Sequence, residues 1–410
     1  MLDFADLIAS DEFARRARHP DFPAAFTRSR KLPLPALIAV LLSMRAGSQQ
    51  SMLDSFFGTL CGEGQLAREV SDRAFAKSRA RLHQPALVWL NDWLLERADT
   101  CAVVPRWHGW RLVAADASVL MPGLRACHRT RSLAAADQRL FALYLPAAEL
   151  TLHASVHDAS ESERAMLMQA LDKLKPDDVL LLDRGYPAAW LVNLLNERGI
   201  RFIMRCDNNR GWRAVREFMR GDDQEALVQL NAPNAQEVQD WQCSAHAPTV
   251  RLVRNVAPNS RVRVLATNLQ AHEVPAHAFG DLYHQRWRIE EAFKRLKSRL
   301  HLEAVSGLTQ QALIVDVAAK ILADNIAAIM CTTATGQHDL ASRSSKCNRT
   351  YAAQVLQRLL PPVLLAVGDV LAAISNAVHL LANTTQRFLP GRSQPRPAHR
   401  KPHPNLAYKG

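Results

Sequence analysis

The sequence predicts an α/β core flanked by helical regions, and three observations carry that reading. Between residues 106 and 206, short apolar runs of strand character alternate with a helical pattern and end in a strand–helix–strand unit, as in a sheet covered by helices. Before and after the core, apolar residues recur at helical spacing. A polar stretch at 207–270 breaks the rhythm and reads as short strands, so the core carries a mostly β insertion.

The chain of 410 residues is long enough for two or three domains, and 48% hydrophobic residues are ordinary for a globular protein. Its net charge of +12 favours a polyanionic partner, nucleic acid before membrane, although a basic balance is also common without consequence. Seven cysteines form no CxxC pair and no Cys/His pair at zinc spacing, which suits reduced thiols in a cytosol. The start, MLDFADLIASDEFARRARHP, has neither the basic nor the apolar segment of a signal peptide. No run of 18 apolar residues occurs. The nearest candidate, 360–381, is broken by Asp369 and reads as buried helix rather than a membrane span. The expected location is therefore a cytosol.

In order, residues 1–105 read as a helical DNA-binding region. Within it, 32–47 is apolar after two prolines, and Ser48 or Ser51 offers a cap for 48–60. Ser71 caps a stretch bearing Arg73, Lys77, Arg79 and Arg81. That basic helix is a reader of DNA phosphates or, equally, a solvated face. Residues 106–206 begin the α/β core. A strand at 107–122 ends in Asp116, and two strands at 139–158 meet at a Pro-Ala-Ala turn. A helix follows at 161–174. The buried strand 179–182 ends in Asp183, where open α/β sheets place their sites. After a helix from near Pro187 comes a strand at 200–206. The insertion spans 207–270, and the last part of the core spans 271–331, including a long buried helix from 308. Residues 332–388 form a C-terminal helical region, and 389–410 a basic, proline-rich tail expected to be disordered.

The chain turns on DLYHQRWRIEEAFKRLKSRL, residues 281–300. On one continuous helix Tyr283, Arg286, Glu290 and Lys297 fall within an arc of roughly 60°, at about 100° per residue. Lys294 lies close to this stripe, and Ile289, Phe293, Leu296 and Leu300 make an anchoring stripe beside it. A solvated amphipathic helix would show the same spacing. Asp116 and Asp183 at strand ends argue for chemistry instead. Asp116, Asp183 and Glu290 converging on one point would repel unless cations lay between them, which is the logic of a two-metal phosphodiester site. Hard oxygen donors suit Mg²⁺ or Mn²⁺. Arg and Lys on the same face would hold phosphates, and Tyr would donate to one.

The spacing Tyr283, two residues, Arg286, three residues, Glu290, six residues, Lys297 resembles the YREK signature of DDE transposases of the bacterial insertion sequence 4 type. VAADAS around Asp116, LLLDRGY around Asp183, LATNL at 265–269 and SDRAFAKSRARL at 71–82 agree with that likeness, which covers roughly 30–330. Asp116 departs from it in being followed by Ala-Ser rather than Gly-Thr or Thr-Thr. The resemblance implies an RNase H-like mixed-sheet core, with Asp116, Asp183 and Glu290 as the catalytic, metal-binding triad for two Mg²⁺ ions, Mn²⁺ substituting. Tyr283, Arg286, Lys294 and Lys297 would contact DNA. In relatives that form a DNA hairpin, a Trp of the insertion stacks on a flipped base; Trp212 is the candidate here, with Trp241 the alternative and a packed role the rival for both. The implied activity is cleavage of double-stranded DNA at terminal inverted repeats and joining of the 3′-hydroxyl to target DNA, by a homodimer holding both ends. The rivals are a nuclease that cuts without joining and a DNA-binding descendant whose chemistry has lapsed.

Overall fold

The structure is a computed structural model. It describes residues 1–28, 30–44, 47–62, 66–120, 138–207, 212–256, 262–307, 309–340 and 344–387. The tail at 389–410 lies outside the described residues. The chain divides into two compact units, one drawn from Met1–Val103 and from Lys294 onward, the other from Val104–Val119 and Gln138–Phe293.

The first unit is helical. Its amino-terminal part holds α1 (Leu2–Ala9), α2 (Asp11–Ala17), α3 (Leu34–Ser43), α4 (Gln49–Leu60), α5 (Asp72–Arg79) and α6 (Pro85–Thr100). Ser10 and Ser71 accept the Phe13 and Ala74 amides and so cap α2 and α5. Ser48 stands at the cap of α4 but makes no capping bond. The stretch after Ser71 splits in two because Pro85, which lacks an amide proton, opens a new helix. Nine of the ten residues of α3 are buried, as in a helix that is apolar all round.

In the second unit the strands are β1 (Arg111–Leu120), β2 (Gln138–Leu145), β3 (Leu150–Asp158), β4 (Asp178–Leu182), β5 (Arg201–Arg205), β6 (Glu225–Gln229), β7 (Thr249–Val256) and β8 (Val262–Thr267). Between them lie α7 (Glu163–Ala170), α8 (Ala189–Glu197), α9 (Arg213–Arg220) and α10 (Ala235–Trp241). All eight strands form one sheet in the order β3-β2-β1-β4-β5-β8-β7-β6. The first five reproduce the 3-2-1-4-5 order of an RNase H-like fold. β1, β4 and β5 run parallel, while β2 and β3 pair antiparallel. Every residue of β4 is buried, as expected of a central strand covered on both faces. The insertion proves to be an extension of this sheet: β8 pairs antiparallel with β5, and β7 and β6 follow outward. At the opposite end of the central strands, buried Arg111 clamps Asp178 at 2.6 and 2.8 Å, joining the starts of β1 and β4.

After β8 come α11 (Phe279–His284), a 3₁₀ turn at Gln285–Trp287, and α12 (Arg288–Arg299). The single helix expected over 281–300 is thus broken, and Tyr283 and Glu290 lie on different helices. The division between the units falls within α12. The remaining elements belong to the helical unit. They are α13 (Gln310–Gln337), β9 (Ser345–Cys347), α14 (Arg349–Leu364), α15 (Val370–Asn383) and β10 (Thr385–Arg387), which pairs with β9. α13 runs past the expected end at 331, and Asp369 caps α15, explaining the break at that residue. Phe4, Phe13, Leu37 and Phe75 share one apolar cluster with Leu322, Ile326, Leu356 and Leu381, so the two ends of the chain build one core. Among the described residues no helix is long and apolar enough to cross a membrane.

Candidate active site

Strand register explains why two distant aspartates meet. Ala114 of β1 faces Leu181 of β4 in the parallel ladder. Asp116 and Asp183 each stand two residues beyond that pair. Neighbouring strands lie about 4.8 Å apart and paired residues share a face, so both carboxylates emerge at the same place. Asp116 does not end its strand as expected; β1 continues to Leu120. Asp183 does follow the last residue of β4.

Side-chain bonds finish the arrangement. The Ala117 amide donates to Asp116 Oδ1 at 2.9 Å, and the Gly185 amide to Asp183 Oδ1 at 2.7 Å. Tyr283, buried, donates its hydroxyl to the Leu182 carbonyl at 3.3 Å and so pins the end of β4 just before Asp183. Arg286, 5% exposed, donates to Asp116 Oδ2 at 3.4 Å and to Glu290 Oε1 at 3.0 Å. The broken helix therefore still brings Tyr283, Arg286 and Glu290 to the two aspartates.

Charge is crowded here. Burial pushes the Asp116 carboxyl up to about 7, and Asp183 and Glu163 push in the same direction against the Arg286 guanidinium. Burial also pushes the Tyr283 phenol up to about 12, keeping it a donor. Burial works against the Arg286 charge, but Tyr283, Asp116, Asp183 and Glu290 together outweigh it.

A fourth acid, Glu163, escaped the sequence reading. It opens α7, where Ser162 caps the helix, and that pattern reads as an ordinary helix start. Its carboxyl is raised by burial and by Asp183. Gly185 marks where the two approach: a Cβ there would stand 3.0 Å from Asp183 Oδ1 and 3.4 Å from Glu163 Oε2.

The other residues expected to contact DNA have these surroundings. Lys294 is exposed on α12, and Lys297 pairs with Glu303 at 3.5 Å. Trp212 is packed at the start of α9, 5% exposed. Trp241 lies flat on Trp190 of α8, ring centres 4.1 Å apart. Arg79 of the basic helix is buried and donates to Ser306, a structural use.

The donors around the two strands are all oxygen and mostly anionic, which fits a hard divalent ion. As the side chains stand, no three acidic, imidazole or thiol groups among the described residues are close enough to hold one. The Arg286 guanidinium lies between Asp116 and Glu290 and supplies the positive charge there.

A mixed sheet in this order, with Asp116 within β1 and Asp183 just past β4, is an RNase H-like fold. Residues 123–326 match the family described as the transposase DDE domain. A stretch of 159 residues is 25% identical to the transposase InsG of insertion sequence element IS4 from Escherichia coli, covering 37% of this chain and 35% of that protein. A solved structure of the piggyBac transposase synaptic complex with hairpin DNA aligns with a TM-score of 0.46 at 10% identity, over 96% of this chain and 86% of that one. These matches support a DDE transposase of the insertion sequence 4 type, through a domain that takes up just under half of this chain.

Proposed function

We propose that the protein is a transposase that cuts DNA at the inverted-repeat ends of its own element and joins the freed 3′-hydroxyl to target DNA. The observation that supports this reading is that Asp116 and Asp183 each lie two residues past the paired Ala114 and Leu181 of β1 and β4, with Arg286 linking Asp116 to Glu290. Asp116, Asp183 and Glu290 would hold two Mg²⁺ ions, with Mn²⁺ as substitute. When bound, the ions activate the attacking oxygen and stabilise the leaving one. The chain's own residues do the rest. The Tyr283 bond to Leu182 holds the end of β4 and so fixes the position from which Asp183 would hold an ion. The planar fork of Arg286 is suited to a phosphate's two free oxygens once it gives up a carboxylate. Lys294, exposed on α12, would meet a backbone phosphate. Two ends must be held for joining, so the working form is a homodimer on DNA.

The test uses a labelled duplex bearing the terminal repeat and its flank, with Mg²⁺ or Mn²⁺, a target plasmid and a Glu290→Gln control. Cutting at the repeat boundary and joining to the plasmid, both lost in the variant, is the expected result. Cutting without joining would make the protein a nuclease. Specific binding without cutting in either metal would make it a DNA-binding descendant.

A further inference from the structure

The sheet's active edge holds more than the three expected acids. Glu163 comes from α7, yet its carboxylate and that of Asp183 both approach the bare face of Gly185. Tyr186 follows at once. Its side chain is fully buried and its hydroxyl has no hydrogen-bond partner. A buried hydroxyl with no partner costs about 1–3 kcal/mol, so such groups mark places where something else binds. The Tyr186 amide donates to the Asp183 carbonyl at 3.3 Å, which keeps the residue beside the acidic cluster, and the charges of Glu163, Asp116 and Asp183 reach its hydroxyl.

We propose that Glu163 is a fourth carboxylate of the divalent-cation site, sharing an ion with Asp183, and that the Tyr186 hydroxyl hydrogen-bonds a water on that ion. The proposal rests on the metal-dependent reading above and adds two residues to it. The alternative is that Glu163 only complements the amino-terminal dipole of α7, a role worth about 0.3–1 kcal/mol that needs no metal.

Mn²⁺ binding separates the two. The full chain, without DNA, is titrated with MnCl₂ while free Mn²⁺ is followed by electron paramagnetic resonance. Glu163→Gln, Glu163→Asp, Tyr186→Phe and Asp183→Asn are compared with the parent, and melting in EDTA checks folding. Loss even of a group that only orients a metal ligand lowers affinity by about 10–100-fold, so Glu163→Gln, which removes a ligand, should bind at least tenfold more weakly or lose one ion. Glu163→Asp, which keeps a carboxylate, should recover part of the loss and decides the matter should the Gln variant not fold. Tyr186→Phe should weaken binding without lowering the melting temperature in EDTA. Unchanged binding in both Glu163 variants, with binding lost in Asp183→Asn, overturns this inference and leaves the proposed function standing. Unchanged binding in Asp183→Asn, or no uptake by the parent, overturns the metal assignment as well.

Discussion

Arg286 is the residue on which the site's electrostatics balance. Its guanidinium spans Asp116 and Glu290, two acids that would otherwise repel across a poorly solvated space. Burial nevertheless pushes the Asp116 carboxyl up to about 7; the Arg286 guanidinium opposes this, and Asp183 and Glu163 add to it. The sign of the consequence is definite. The folded carboxyl binds its proton more tightly than the unfolded one, near 4. Its contribution to stability is therefore fully present below about pH 4 and is lost as the pH rises through about 7. In EDTA, denaturant unfolding should show the parent losing stability between pH 5 and pH 8 by more than Asp116→Asn does. Equal slopes would show that Asp116 titrates normally. Tyr283 offers a second prediction. Its hydroxyl is already given to the Leu182 carbonyl. Tyr283→Phe should therefore lower stability by about 1 kcal/mol and leave affinity for a repeat-bearing duplex unchanged. A loss of affinity without loss of stability would return the hydroxyl to a phosphate.

At the scale of elements, much of the site was legible. Strand β4 and Asp183 could be placed because an unbroken apolar run followed by Asp and Gly has few readings. Asp116 was found but set at a strand's end, since Ala-Ser and a following proline resemble a turn. The break between α11 and α12 could not be seen, because YHQRW holds neither Gly nor Pro. Its surroundings are tertiary: the Tyr283 bond to Leu182 on one side and the Arg288 bond to the Pro146 carbonyl on the other. Glu163 was hidden for the same reason, since only the fold brings α7 to the end of β4. α12 itself is held by a buried ionic cluster. Asp324 of α13 accepts from Arg295 of α12 at 2.9 Å and from Arg349 of α14 at 3.0 Å. Burial alone would raise the Asp324 carboxyl, but the two guanidinium groups hold it below the usual range. Asp324→Ala removes the buried carboxylate that both guanidinium groups share and should cost about 3–5 kcal/mol in denaturant unfolding. The parent's own advantage from this group is present above the ordinary carboxylate value and lost as pH falls through the lowered one. Loss of less than 1 kcal/mol would mean that solvent reaches the cluster.

Across the whole molecule, opposite charges do opposite work. The chain carries +12 overall, whereas the active edge of the sheet concentrates carboxylates. DNA phosphates are drawn to the first and repelled by the second, so affinity and catalysis should respond differently to ions. Monovalent salt competes with the basic surface: each phosphate contact contributes roughly −0.9 to the slope of log K against log salt, so binding should weaken steeply between 50 and 200 mM. Divalent ions act where the acids are. In EDTA the acids only repel, and Asp183→Asn, which removes one negative charge, should bind the duplex at least as tightly as the parent. With Mg²⁺ present the order should reverse, because the parent can now hold ions against the phosphate and the variant cannot. Fluorescence anisotropy of one labelled duplex under the four combinations of protein and ion reads this directly. If the order is the same with and without Mg²⁺, the carboxylates do not meet the DNA through metal, and the basic surface alone accounts for binding.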